Sequence, residues 1–524
     1  MRFFLIITLA IVLTPVILDE SYSFIDGDMI YETNEKFDNP IDIRESNLLK
    51  FEHISNEQLQ KRYIVFGKGS YAELGNVGIN NLVSSPNGFF SVITMPESTV
   101  SIFQSKGFHV IEDFELDFHS KYISKDNISK KLTIGNIANS HNVHTVYNVT
   151  GKDVKIAIID TGVDFSNPDI QHSLARDSKN KPIMLDPDGQ GIILTNATFA
   201  ANIDRYGTMK NFTSPEKYNT TSNVYVKPRQ DGVFLNIKQN GEGTSLLVYN
   251  SMFPMYGQSP LLNGTLNHDM KIGKNKHDYI ESKSGIYHLG IMFQGTPQSP
   301  QIVPVLVTDS KISGVYDTII ADMSTSWEDF INKSNGVTDD YDFDFTDELS
   351  RVIGDGNEFL MYDFDDDGKF DYSAGTLGAQ VLDIHGVINN KSEIDETFGA
   401  LNGTLLPPMD DKGQFFGVMT DVQGHGTASA ATIVSKGIQE YDIYNDTKKY
   451  NIRGIAPDAK IIPVKALWFG DVLYSWFWSA GFDNSESEWQ FSGQTRADII
   501  SNSWGVSTFP NFEYAPGYDL LSLV

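Results

Sequence analysis

The chain has 524 residues, which predicts two to four domains and allows a large buried core. Its formal charge of -28 and pI near 4.7 exclude nucleic acid and anionic membrane as partners, because phosphate binding needs clustered Lys and Arg. There is no cysteine, so disulfides, thiolate metal sites and cysteine nucleophiles are excluded together, and stability must come from core packing or bound ions.

Arg2 precedes an uncharged apolar run from Phe3 to Leu18, and Ser21-Tyr22-Ser23 offers small residues where a signal peptidase would read. Residues 1–23 are therefore expected to be an export signal, and the protein to be secreted or at the cell surface. No other segment is apolar enough to span a bilayer, so no membrane contact beyond that signal is expected. Sequons such as Asn127, Asn148, Asn196, Asn263, Asn402 and Asn445 are compatible with a glycosylated exterior.

Residues 24–61 are polar and without period, and read as a linker. Residues 62–118 then read as a small α+β unit: a strand at Tyr63-Ile64-Val65-Phe66, another from Phe89 to Thr94, a short helix opened by Met95-Pro96-Glu97 and running through Phe103, and a return strand from Gly107 to Glu112. From Val154 to Ile159 the apolar residues occupy both faces, as a parallel strand covered by helices requires, and Thr161-Gly162 breaks the run after Asp160. In open α/β sheets, chemistry sits outside such carboxyl ends.

The 264 residues between Asp160 and His425 far exceed one crossover, so the span 172–415 is expected to hold an inserted domain. Runs at 224–226, 232–237, 245–249, 285–293 and 301–307, separated by Gly, Asn and Pro turns, make it mostly β. Within it, Asp363, Asp365, Asp367 and Asp371 alternate around Gly368, so several carboxylates can converge on one hard cation. Calcium is the expected occupant, in a structural role. Ala374 stands where an EF-hand carries its closing Glu, and the loop is instead similar to shorter calcium loops that close with an Asp at the ninth position.

Gly424-His425-Gly426-Thr427-Ala428-Ser429-Ala430-Ala431 starts a helix of small residues that is expected to run to Gly437. Downstream, Gly454-Ile455-Ala456-Pro457-Asp458-Ala459 leads into the apolar run Ile461 to Leu467, and Asp498-Ile499-Ile500-Ser501-Asn502 leads to Ser503-Trp504-Gly505. Together with Asp160-Thr161-Gly162-Val163-Asp164, these motifs resemble those of the subtilisin-like serine proteases, in particular archaeal and pyrolysin-like members with a long insertion between aspartate and histidine. Ala428 departs from the second His more usual in the family.

That resemblance implies an α/β fold with a subtilisin-like parallel sheet and helices on both faces, preceded by an α+β propeptide that acts as chaperone and inhibitor. It implies Asp160 and His425 as two members of a catalytic triad, Ser503, Trp504 and Gly505 as the edge that holds a polypeptide substrate, and serine endopeptidase chemistry. The nucleophile motif Gly-Thr-Ser-x-Ala-x-Pro does not follow His425, and Gly243-Thr244-Ser245 precedes the histidine and runs into an apolar strand. The expected layout is thus signal 1–23, linker 24–61, propeptide 62–118, start of the catalytic domain 119–171, insert 172–415 and continued catalytic domain 416–524, truncated before the serine and inactive alone. The alternative is a non-catalytic calcium-binding cell-surface or interaction protein on a degenerate subtilase scaffold. The residues carry no signal of oligomeric state.

Overall fold

The computed structural model describes residues 60–68, 82–85, 88–118, 139–187, 189, 191–195, 197–213, 228–229, 232–239, 242–248, 270, 272, 280–296, 299–323, 345, 348–362, 372–382, 405–440, 451–485 and 488–505. The expected export signal, the calcium loop with Asp363, Asp365, Asp367 and Asp371, and the run at 224–226 lie outside the described residues. Among the described residues, no helix is long and apolar enough to cross a membrane.

The first unit consists of β1 (Gln60–Gly67), β2 (Val83–Ser85), β3 (Gly88–Pro96), α1 (Glu97–Ser105) and β4 (His109–Glu112), with an antiparallel sheet in the order β2-β3-β1-β4. Its alternation sorts the two faces. Tyr63 and Val65 join Phe89, Met95 and Phe103 under α1, whereas Ile64 and Phe66 point the other way, into the core of the rest of the chain. Pro96 supplies the extended residue before α1, and Glu97 places a negative charge on its first turn.

After α2 (Ser140–Tyr147) comes β5 (Lys155–Asp160), followed by β6 (Leu185–Asp186), β7 (Ile192–Leu194), β8 (Ala197–Ile203), β9 (Met209–Thr213), β10 (Pro228–Arg229), β11 (Gly232–Gln239) and β12 (Glu242–Val248). The chain continues through β13 (Ile286–Thr296), β14 (Ser299–Thr308), β15 (Thr318–Ala321), β16 (Ser350–Arg351), β17 (Phe359–Tyr362), β18 (Tyr372–Leu377), β19 (Gln380–Val381) and β20 (Phe415–Met419). It closes with α3 (His425–Val434), β21 (Lys460–Lys465), α4 (Phe469–Ser479), β22 (Phe482–Ser485), β23 (Glu488–Phe491) and β24 (Ile499–Asn502).

The sheet that carries the site is parallel, in the order β19-β6-β21-β5-β24. In β5, Ile156 and Ile158 pack with Ala430 and Val434 of α3 on one face, while Ala157 and Ile159 pack with Leu473 and Trp478 of α4 on the other. Each fully buried side chain of this kind contributes about 1.5–3 kcal/mol, so a strand apolar on both faces is held only between two helices.

Between Asp160 and His425 the described elements longer than one turn are strands, with β8, β9, β13, β14, β15 and β16 in one antiparallel sheet. The expected boundary at residue 172 is not observed as a clean break. β6 and β19, both inside the span 172–415, lie in the central parallel sheet beside β21. Strands of two residues have no readable period, and only their neighbours hold them extended. The helix at His425 ends at Val434 rather than at Gly437, because Ser435 leaves helical geometry (φ -52, ψ 134) and Lys436 bridges to Arg453.

Candidate functional site

The parallel register sets Asp160 opposite Lys465 at the carboxyl end of β5. Its carboxylate is fully buried, and Oδ1 accepts the Thr161 backbone N–H at 2.8 Å. The same oxygen lies 2.7 Å from His425 Nδ1, and Oδ2 accepts from Ser429 Oγ at 3.2 Å. Burial pushes the Asp160 carboxyl above its ordinary range, against the opposing pull of the His425 and Thr161 hydrogen bonds. With Asp160 ionised, Nδ1–H donates to it, the tautomer that leaves Nε2 as an acceptor.

Glycines make that approach possible. A Cβ on Gly426 would run into the Gly162 carbonyl oxygen, and one on Gly162, at φ +109, would run into that of Thr420. Asp160-Thr161-Gly162 and Gly424-His425-Gly426 are therefore two backbone segments packed without side chains between them.

A residue outside the sequence motifs ties them together. Asp421 Oδ1 accepts from Thr161 Oγ1 at 2.7 Å and from Gly424 N at 2.9 Å, and Oδ2 accepts from Thr427 N at 2.7 Å and from Thr427 Oγ1 at 2.6 Å. Thr161 Oγ1 in turn accepts from Gly426 N at 2.9 Å. The signal available for Asp421 is an acid just before the first turn of a helix, a place where backbone N–H groups need acceptors. Ser429 shows no such signal, since only the fold brings it to Asp160.

The three residues expected to hold substrate separate in role. Gly505 exchanges two backbone hydrogen bonds with Asp117, N to O at 3.0 Å and O from N at 3.1 Å. Trp504 turns inward, where its Nε1 donates to the Ile159 carbonyl at 3.1 Å, and Ser503 is exposed. The residues following β4 thus run along this edge. Leu116 N donates to Leu467 O at 2.8 Å, and Glu115 bridges Trp468. At the end of that run the ring of Phe118 stands edge-on to His425, centroids 5.6 Å apart. His425 Nε2 has no hydrogen bond to a described residue, and the side chain is 23% exposed.

Gly243-Thr244-Ser245 lies within β12, Thr244 paired with Ile237 and Ser245 with Asn236. Among the described residues, no group of three or more His, Asp or Glu converges as metal ligands would.

No curated protein and no solved structure matches the chain. Residues 410–514 match the family model described as the subtilase family. The match takes in His425, the strand β21 and the Ser503–Gly505 edge, and leaves Asp160 to be joined to them by the hydrogen bond just described. Residues 410–514 are therefore similar to the subtilase family over that segment.

Proposed function

We propose that the chain carries the Asp–His part of a subtilisin-like serine endopeptidase, of the archaeal or pyrolysin-like kind with a long span between the two residues. The single observation behind this reading is the 2.7 Å contact of His425 Nδ1 with the buried carboxylate of Asp160. Asp160 orients the imidazole and stabilises its charged form. His425 Nε2 takes the proton of a serine as that serine attacks the scissile carbonyl, then returns it to the leaving amine. The serine itself is not among the 524 residues in the family motif.

Residues 62–118 act in this reading as an inhibitory propeptide, a role supported by residues 114–118, which bond to Leu467, Phe469 and Gly505 and bring Phe118 against His425. The N-terminal 23 residues direct export, which makes the protein secreted or surface-bound. The loop from Asp363 to Asp371 binds calcium, because its donor set consists of carboxylates suited to a hard divalent cation. Calcium there clamps a long loop and takes no part in peptide hydrolysis.

The chain alone is expected to be inert toward casein and toward a serine-directed fluorophosphonate. Joined to a segment bearing Gly-Thr-Ser-x-Ala-x-Pro, it should label at that serine, and His425→Ala should abolish labelling. Stoichiometric labelling of the 524-residue chain at one of its own serines would overturn the assignment.

A further inference from the structure

The segment lying in the groove is itself a record of what the groove accepts. It is held by backbone on both sides: Leu116 N to Leu467 O at 2.8 Å and Phe469 N to Phe114 O at 2.9 Å on one, the paired Asp117 and Gly505 on the other. Backbone pairing of this kind holds any extended peptide, so discrimination falls to the side chains that point inward.

Those side chains alternate. Phe114 stacks on Phe469 with centroids 5.1 Å apart and planes 10° from parallel. Leu116, 9% exposed, enters the apolar cluster that contains Ile159 and Trp504. Phe118 meets the edge of His425. Between them Glu115 is exposed; Phe114, Asp117 and Phe118 are half-buried, so the alternation rests on the apolar contacts of Phe114, Leu116 and Phe118.

We infer that the groove formed by Leu467–Phe469 and Gly505 selects extended peptides of the pattern aromatic, any, aliphatic, any, aromatic, with the last aromatic against His425. This specifies the substrate class of the site and rests on the peptidase reading above.

The groove is already occupied in the intact chain, and an attached segment competes at high effective concentration. The test therefore uses the full chain with Leu116→Ala and Phe118→Ala, and a fluorescein-labelled peptide Phe-Glu-Leu-Asp-Phe followed by fluorescence anisotropy. The double variant should bind this peptide more tightly than the unsubstituted chain does. Alanine at either peptide Phe should weaken binding about 3- to 10-fold, the scale of a lost aromatic pair. Asp in place of the peptide Leu should weaken it about tenfold or more, because a carboxylate would be buried without a partner. Serine at the two acidic positions should leave affinity within about twofold. If the double variant loses its circular dichroism signature, Phe118→Ala alone serves, since that side chain is only half-buried.

Equal binding of the parent peptide and its Leu→Asp form would overturn the inference, as would affinity governed by the acidic positions. Binding needs no nucleophile, so the two readings fail separately. Patterned binding without hydrolysis by the serine-joined protein would sink only the peptidase assignment, and hydrolysis indifferent to the pattern would sink only the specificity.

Discussion

Arg62, on β1, forms a two-pronged ion pair with Asp471 in the first turn of α4, while its Nε lies 2.7 Å from Asp113 Oδ2. All three side chains are buried, and Asp113 also accepts from Gly470 N at 2.8 Å. The first unit is therefore fastened to the helix that covers the central parallel sheet by charge as well as by the apolar contacts of Ile64, Phe66 and Phe90. Removing one member of such a group leaves an uncompensated buried charge. Arg62→Met should cost about 3–5 kcal/mol, and Arg62→Lys should recover little because an ammonium cannot reproduce the fork. Hydrogen exchange in β1 and β3 is the check, and unchanged protection in Arg62→Met would refute it.

Asp160 is buried with its carboxyl displaced upward by desolvation. A raised acid binds its proton more tightly in the folded than in the unfolded chain. Stability therefore falls as pH rises from the unfolded value near 3.8 through the folded one, and at neutral pH the ionised group is a net cost. Asp160→Asn should raise the melting temperature at pH 7, with the gain shrinking as pH approaches 3.8, while it removes the negative charge beside His425 and replaces one acceptor oxygen by a donor. An Asn variant less stable than the parent at pH 7 would contradict this.

His288 is enclosed in the β-rich region, with Nδ1 at 3.1 Å from Thr198 Oγ1 and its ring edge-on to Tyr316 at 4.3 Å. Burial lowers it from 6.5 to about 4. A lowered histidine stabilises the fold fully above the unfolded value and loses that contribution as pH falls toward the folded one. Acidification from pH 7 to 4 should therefore remove roughly 3 kcal/mol, and His288→Gln should flatten that dependence. Urea unfolding at the two pH values measures it.

Asp458, in the turn before β21, is drawn down to about 2, first by its hydrogen bond from Lys436 and then by Thr150. Its contribution is present above about 3.8 and disappears as pH falls through about 2. The side chain is 39% exposed, so solvent screening discounts the shift heavily. Asp458→Asn should cost only about 0.2–1 kcal/mol at pH 7, less in high salt. A loss of several kcal/mol would mean the turn depends on this pair far more than an exposed geometry allows.

Calcium should raise the melting temperature of the protein through the loop from Asp363 to Asp371. At a hundredfold excess over the dissociation constant the gain is about 2.7 kcal/mol. Asp365→Ala with Asp367→Ala should abolish the response, and a thermal shift that persists in the double variant would move the site elsewhere.

Short-range patterns are what the chain reveals by itself. The apolar run of β5 is visible because both of its faces are covered, and the glycines around Asp160 and His425 are visible because two backbones must touch there. β1, β3, α1 and β4 are likewise set by alternation and by Pro96, to within a few residues of their ends, whereas the three-residue β2 is not legible in the sequence. Tertiary structure alone decided the rest. β6 and β19 are extended only because parallel neighbours hold them. Asp421 and Ser429 become partners of the pair only when the loop before α3 folds onto β5. Phe118 reaches His425 across some 300 residues of sequence only because Leu467, Phe469 and Gly505 hold the segment before it. Local propensity sees a few neighbours along the chain, whereas the positions of His425, Asp160 and the segment beside them are fixed by contacts that exist only once the entropy of closing long loops has been overcome.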